Sequence, residues 1–430
     1  MTTLNEHYRV LLGLDSSWHV DDVALDLPGK QVVIRLSHSG GSLVCPDCSE
    51  GCPRADTAPE RTWRHLDTMQ FKTEIRAAVP RTRCEKCGVK TVAVPWAGKH
   101  SRFTLLFEAL AIKGLQAASS VKKAAELLNI GWDSMHAIVE RAVERGLQRR
   151  QLDDVRHVGV DEKSFGEGHD YVSIMTDLDG HRVLEVAPER TIESCDLLWK
   201  TLTETQQSEV ESVSMDMWQA FMTSAEKNAP QAEIVHDRFH VSKHLNEAVD
   251  KVRRQENRDL QSEGDHRLKG TRQLWLFNQE NLDEDSYYEL LTAQRGDLKT
   301  GRAWAMKVNF RDFWNRPSER SGKRFFDHWY SWAIRSRLEP IKKIARMLKN
   351  HLGGLLSYFR HRVTNAITEG FNSRIQSVKT AARAFRNFAN YRLRILFYCG
   401  KHRNDAARLP LKCRKNLFPQ QETAQKERTW

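Results

Sequence analysis

VRHVGVDEK (155–163), DYVSIMTDL (170–178) and HRVLEVAPE (181–189) are the stretches that decide the fold. Each is a short apolar run rich in β-branched residues. The turn residues LDGH (178–181) join the second run to the third, so the three read as consecutive strands. TIESCDLLWKTLTE (191–204) then takes up helical spacing, and VESVSMDM (210–217) returns to a strand. A helix is expected around Trp218 to Asn228, followed by a fifth strand in AEIVHDRF (232–239).

Three strands, a helix, a strand, a helix and a strand is the element order of a ribonuclease H-like core, a mixed β-sheet with flanking helices. Within it, Asp161 follows the apolar HVGV and Asp216 follows SVSM, so each sits at a strand end where it can meet a cation without being buried unpaired. Glu369 lies in the helix-like TNAITEGFNSRIQ (364–376), with Asn372 and Gln376 on its polar face and Ile367, Phe371, Ile375 and Val378 opposite. Taken singly, either aspartate reads better as a turn or cap residue, and the helix dipole alone favours a glutamate in a first turn. Together, in this strand order, they form a set that can hold two Mg²⁺ or Mn²⁺ ions per active site for phosphodiester chemistry. Asp237 and His240, at the end of the fifth strand, are auxiliary candidates; a salt bridge to Arg238 is the plainer reading of Asp237.

Upstream, residues 1–98 carry Cys45-Pro-Asp-Cys48 and Cys84-Glu-Lys-Cys87 among strand-like runs such as QVVIRL and FKTEIRAAV. Two such knuckles can present four thiolates to one tetrahedral Zn²⁺ and leave no open position, which is a structural site. Cys52 is a possible substitute ligand, and Cys195, Cys399 and Cys413 read as ordinary thiols. A small metal-pinned DNA-binding module is therefore expected. Residues 99–152 switch to helical periodicity broken at Asn129 to Gly131. This is a helix-turn-helix pattern, or else a plain helical hairpin. Its apolar face is Val121, Ala124, Ala125, Leu127 and Leu128 in one helix and Met135, Ile138, Val139 and Val143 in the next, and Trp132, Ser134 and His136 stand near the start of a recognition helix.

The catalytic domain is expected over 153–400, interrupted by an all-helical insertion at about 241–360, with a basic tail at 401–430. The 430-residue chain has a net charge of +11, but residues 301–430 hold 29 Lys+Arg against 8 Asp+Glu. That one-sided block, which includes Lys379, Arg383 and Arg386, suits a polyanionic partner. Trp275, Trp304, Trp314, Trp329 and Trp332 lie in the helical block; most are expected to be core, with one or two free to stack on bases. No signal-peptide pattern and no membrane-spanning run is present, so a cytoplasmic protein with no membrane partner is expected.

CPDC, CEKCGVKTV, VPWAGKHSRFT, VGVDEKS, SMDMWQAF, VHDRFHV and TEGFNSRIQSVK together resemble the insertion-sequence transposases of the ISL-three group over nearly the whole length. The resemblance implies a DDE triad at Asp161, Asp216 and Glu369 and a zinc finger at Cys45, Cys48, Cys84 and Cys87. Asp237 to His240 is similar to the D/C-x-x-H signature of Mutator-like enzymes. The implied activity is that of an enzyme that binds double-stranded DNA at terminal inverted repeats, cuts it, and joins the freed end to target DNA as a homodimer or higher homo-oligomer. The rivals are a DNA-binding regulator without catalysis and a ribonuclease H-like nuclease without strand transfer.

Overall fold

The computed structural model describes residues 3–118, 120–166, 170–277, 279–294 and 298–401. The tail from 402 onward, with Cys413, lies outside the described residues. The chain forms two compact units that divide between Arg149 and Arg150.

The first unit opens with α1 (Leu4–Leu11), β1 (Trp18–Asp26), β2 (Gln31–His38), β3 (Leu43–Val44), β4 (Gly51–Cys52), β5 (Arg54–Thr57), β6 (Arg61–Arg64), β7 (Lys72–Ala77), β8 (Pro80–Cys84) and β9 (Gly88–Thr91). Strands β1-β2-β7-β6 make one sheet, β5-β8-β9 a second, and β3-β4 a ribbon. The four-stranded sheet is more than a metal-pinned module requires. It has its own core of Trp18, Ile34, Trp63, Ile75 and Trp96, separate from the cysteine cluster. The runs QVVIRL and FKTEIRAAV are its two central strands, β2 and β7, paired in parallel.

Helices α2 (Leu105–Ala118), α3 (Val121–Leu127) and α4 (Trp132–Arg149) complete this unit. Ser120 caps α3 by accepting from the Lys123 amide at 3.3 Å, and Asn129 turns the chain with a φ of 51°. Ala124, Ala125, Met135, Ile138, Val139 and Val143 are buried as the periodicity requires. Leu127 departs from the expected apolar face and is 72% exposed. A buried carboxylate ties the helices: Glu108 on α2 meets Arg141 at 2.6 Å and Arg145 at 3.1 Å on α4.

The second unit is mixed α/β. Strands β10 (His157–Ser164), β11 (Tyr171–Asp177) and β12 (Arg182–Pro188) form an antiparallel meander. Helices α5 (Ile192–Trp199) and α6 (Glu204–Ser208) lead to β13 (Ser212–Met215), and α7 (Gln219–Asn228) leads to β14 (Glu233–His236). The sheet order is β12-β11-β10-β13-β14, with β13 parallel to β10 and β14 parallel to β13. Because the three parallel strands run the same way, their carboxyl ends share one edge.

From Arg238 to His361 the chain is helical: α8 (Arg238–Ser262), α9 (Arg272–Leu276), α10 (Glu284–Gln294), α11 (Lys299–Phe310), α12 (Glu319–Arg335), α13 (Glu339–Asn350), α14 (Leu352–Leu356) and α15 (Tyr358–His361). This block has its own aromatic core, in which Trp275, Phe310, Phe313, Phe326 and Trp329 are buried. Two helices, α16 (Ala366–Ala381) and α17 (Phe388–Cys399), return to the sheet, where Arg392 pairs with Glu185 of β12 at 2.6 Å. Among the described residues no helix is long and apolar enough to cross a membrane.

Candidate active site

Alternation along β10 sets up the site. Val158 and Val160 point into the sheet's main core, so Gly159 and Asp161 face the other way, toward α16. There Asn372 Nδ2 donates to Asp161 Oδ2 at 2.6 Å. Glu162, on the opposite face, pairs with Arg190 at 3.0 Å, and that guanidinium stacks over Tyr171 and Trp218. Asp216 follows the last residue of β13, with its Oδ1 accepting from the Met217 amide at 2.6 Å. Asp237 follows β14 and caps α8, accepting from the Phe239 amide at 3.3 Å, while its Oδ2 is buried with no partner among the described residues. His240, one turn into α8, stands between two of the acids: Nδ1 is 3.2 Å from Asp216 and Nε2 is 3.8 Å from Asp161. His244, a turn further, is 3.8 Å from Asp216.

The electrostatics show a site short of positive charge. Burial pushes the Asp161 carboxyl up against the pull of His240, the Glu162 amide and Asn372. Burial also raises Asp237. Glu369, on the first turn of α16, is pushed up to about 7 by burial and by repulsion from Asp237 and Asp161. Asp216 behaves oppositely: burial works against its ionised form, but the close His240 ring, with His244 beyond it, holds it far below the usual carboxylate range. His240, despite its burial, is raised to about 9 by the Asp216 bond and by the charges of Asp216, Asp161 and Asp237. This imidazolium is the positive charge that bears on Asp161, and four crowded carboxyls outnumber it. An orphaned acid oxygen and carboxyls shifted upward by burial fit a cation-binding centre.

Glycine at 159 is what lets α16 come so close. A Cβ there would meet Asn365 Oδ1 at 2.6 Å, Thr368 Oγ1 at 2.7 Å and Leu178 Cδ2 at 2.9 Å. Asn365 and Thr368 are short, buried side chains at the start of the helix that carries Glu369, so relief has to come from moving that helix. Gly159→Ala is expected to cost about 1–3 kcal/mol of stability. It should also lower any activity that depends on Glu369 by about 100-fold, the usual penalty for a 1 Å misplacement. Thermal melts together with cleavage and DNA-binding assays check this; unchanged cleavage at intact folding would show that α16 does not need that approach.

Several sequence candidates come together here and others do not. Lys379 Nζ donates to the Ser164 carbonyl at 3.1 Å, beside the end of β10, whereas Arg383 and Arg386 are exposed beyond the end of α16. Of the five tryptophans in the helical block, Trp275, Trp304, Trp314 and Trp329 are buried and only Trp332 is exposed. His244 and Gly159 escaped sequence reasoning. The spacing of His240 and His244 by one helical turn was the signal that could have found the first.

In the first unit, one ligand atom from each of Cys45, Cys48, Cys84 and Cys87 lies within 4.8 Å of the others. The backbone amide of Cys87 leads in holding the Cys84 thiol down at about 6, the amide-to-sulfur pattern that favours a bound thiolate. Cys52 packs against this group without being one of the four and donates to the Glu50 carbonyl at 3.4 Å. On α4, Trp132 is exposed and stacks on His136 with ring centroids 4.9 Å apart, His136 lies 3.3 Å from Glu140, and Ser134 is half-buried.

Comparison with known proteins gives these units a family. The ISL3 DDE model, described as a transposase, matches residues 158–395. The helix-turn-helix domain of transposase family ISL3 matches 92–143, and the zinc-finger of transposase IS204/IS1001/IS1096/IS1165 matches 42–87. The transposase for insertion sequence element IS1001 of Bordetella parapertussis is 25% identical over 372 residues, covering 86% of this chain and 91% of that protein. The transposase for IS1557 of Mycobacterium tuberculosis is 27% identical over 412 residues, covering 88% and 92%. The four-cysteine cluster is accordingly a structural zinc site, and the helix-turn-helix and transposase domains imply DNA binding. The chain belongs to the ISL3 family of insertion-sequence transposases.

Proposed function

We propose that this transposase cuts DNA at the terminal inverted repeats of its element and joins the freed ends to target DNA, using Asp161, Asp216 and Glu369. The observation that carries the reading is that the strand-end Asp161 and Asp216 both approach His240, while the helix-borne Glu369, 153 residues after Asp216, feels the charges of Asp237, Asp161 and His240. The sheet order and strand directions support a ribonuclease H-like catalytic domain over 153–400, with the helices of about 241–360 as an insertion. Residues 1–98 and 99–152 are then the zinc-finger and helix-turn-helix parts that read the repeats.

Asp161, Asp216 and Glu369 would hold Mg²⁺ or Mn²⁺, two ions per site, with Asp237 as an auxiliary carboxylate. When bound, the ions supply a water of lowered pKa and stabilise the departing 3′ oxygen. The protein's own groups set the stage. Asn372 orients Asp161, and His240, protonated at neutral pH, occupies the space between Asp161 and Asp216 and balances their charge until ions load. Repulsion from Asp237 and Asp161 on the Glu369 carboxyl is what a bound cation would relieve, holding that carboxyl ionised as a ligand. Lys379, Arg383 and Arg386 lie along and beyond α16 in position to contact phosphates, and Trp132, Ser134 and His136 face the repeats from α4. Joining two ends calls for a homodimer or larger assembly, and work on chromosomal DNA places the protein at the nucleoid.

The test uses the full chain with DNA carrying the element's own ends, in Mg²⁺, and separately a pre-cut end with a free 3′ hydroxyl and a target plasmid. Cleavage and joining together are expected. End binding without cleavage would replace the proposal with a regulator, and cleavage without joining would replace it with a nuclease.

A further inference from the structure

A second group of metal-ligating side chains stands at the other end of the same strands. One ligand atom from each of His157, Glu211 and His361 lies within 4.8 Å of the others. His157 opens β10, Glu211 immediately precedes β13, and His361 closes α15. The two imidazole rings meet edge to face with centroids 5.8 Å apart. A fourth donor is at hand, since Glu233 Oε2 at the start of β14 lies 3.0 Å from His361 Nε2; Arg360 pairs with the same oxygen at 2.8 Å and Arg156 with Glu211 at 3.4 Å, contacts that an ion would have to share or displace.

We propose that His157, His361 and Glu211, with Glu233 completing the set, form a structural site for a zinc-class divalent ion. Two imidazoles with carboxylates are a donor set for borderline ions such as Zn²⁺ rather than for Mg²⁺, which prefers oxygen alone. The backbone already holds the donors in place. The Glu211 amide donates to the Arg156 carbonyl at 2.7 Å, and the Glu233 amide donates to the Glu211 carbonyl at 2.9 Å. The Ser212 hydroxyl lies 3.1 Å from His157 Nδ1, which fixes that ring and leaves its other nitrogen for an ion. A tetrahedral ion with bonds of about 2.0–2.1 Å spaces its donors about 3.4 Å apart, so closure onto it takes small side-chain rotations.

The placement gives the ion a purpose. His157 is four residues before Asp161, Glu211 is five before Asp216, and His361 is eight before Glu369. Each ligand therefore sits on the segment that carries one of the three acids. Among the described residues no β-ladder holds the third segment, which returns to the sheet from the helical block. An ion here would rivet it to the starts of β10 and β13.

Zinc uptake by the full-length, reduced, metal-free protein decides the matter. The protein is titrated with Zn²⁺ alone against a chromophoric chelator, and with Co²⁺ alone for its spectrum. Two equivalents are expected. One shows the intense thiolate charge-transfer bands of the four cysteines; the other shows weak ligand-field bands without them. The pair His157→Gln with His361→Gln should bind one equivalent and keep the thiolate bands. Glu211→Gln, a change at an exposed side chain that leaves the fold intact, should weaken the second equivalent by more than about 10-fold, since even outer-shell changes at metal sites cost that much. Uptake of one equivalent by the unaltered protein overturns the proposal. So does a second equivalent that neither set of substitutions changes. Neither outcome depends on whether the protein cuts DNA.

Discussion

Asp161→Asn is expected to lower Mg²⁺-dependent cleavage of end-bearing DNA by about 10³-fold or more, with end binding unchanged. Asp161 is buried, faces α16, and is contacted by both Asn372 and His240, so it stands at the centre of the acidic group. Removing its charge removes several kcal/mol of the stabilisation that a cation-dependent site applies to the transition state, and each 1.36 kcal/mol is a factor of ten. Glu369→Gln should behave alike. Asp216 and Asp237 are the two contenders for the part of second aspartate. Asp216 faces the two histidines, whereas Asp237 caps α8 with one oxygen and leaves the other buried without a partner among the described residues. Asp216→Asn should match Asp161→Asn, while Asp237→Asn keeps the cap geometry and should lose only about 10-fold. Single-turnover cleavage at saturating DNA gives the ranking; a larger loss for Asp237 than for Asp216 would exchange their roles.

Removing zinc from the four-cysteine site, by Cys45→Ser with Cys84→Ser or by a strong chelator, is expected to melt residues 43–57 and 80–91 locally while the four-stranded sheet, with β6 and β7, stays folded. Structural zinc contributes on the order of 10–16 kcal/mol in small zinc-finger peptides. The three-stranded sheet and the β3-β4 ribbon around these cysteines have little apolar core besides the sulfur atoms. The neighbouring sheet rests on Trp18, Trp63 and Trp96 and has its own support. If the ribbon reads the repeats, affinity for the ends should fall on the order of 10³-fold toward the non-specific level. Hydrogen exchange across 43–57 and 80–91, with β6 and β7 as the internal control, read beside end-binding titrations at fixed salt, checks both halves. Protection that survives chelation would mean that the cysteines are not what holds this segment. Cys195→Ala, at a buried thiol in the second unit, should leave zinc content untouched.

Local patterns made most of the architecture legible. The alternation in HVGVDEK and the short β-branched runs SVSM and EIVH specify strands because those residues are buried on one or both faces. The paired cysteines carry their own geometry, and the break at Asn129 carries its φ. What escaped was whatever depends on distant packing. Helical periodicity gave the α3 face, but Leu127 points to solvent because α2 and α4 cover only Ala124 and Ala125. The one-sided basic charge of residues 301–430 suggested a nucleic-acid surface, yet the aromatics Phe326, Trp329 and Tyr391 within that block are core. The one-turn spacing of His240 and His244 marks the pair in the sequence, but that both meet Asp216 depends on α8 starting directly after β14, beside the end of β13.

The order in which the acids are made has a consequence for a chain still on the ribosome. Asp161 and Asp216 emerge with the sheet, but Glu369 follows 153 residues after Asp216, behind the whole helical block. At about 5–20 residues per second, that interval lasts roughly 8–30 s. During it, the zinc-bearing and helix-turn-helix parts can already fold near the gene that encodes them, while the third carboxylate is still unmade. Translation that stops short of residue 369 would therefore release polypeptides able to occupy the element's ends and unable to cut them. An element of this design would produce its own competitors whenever synthesis is interrupted.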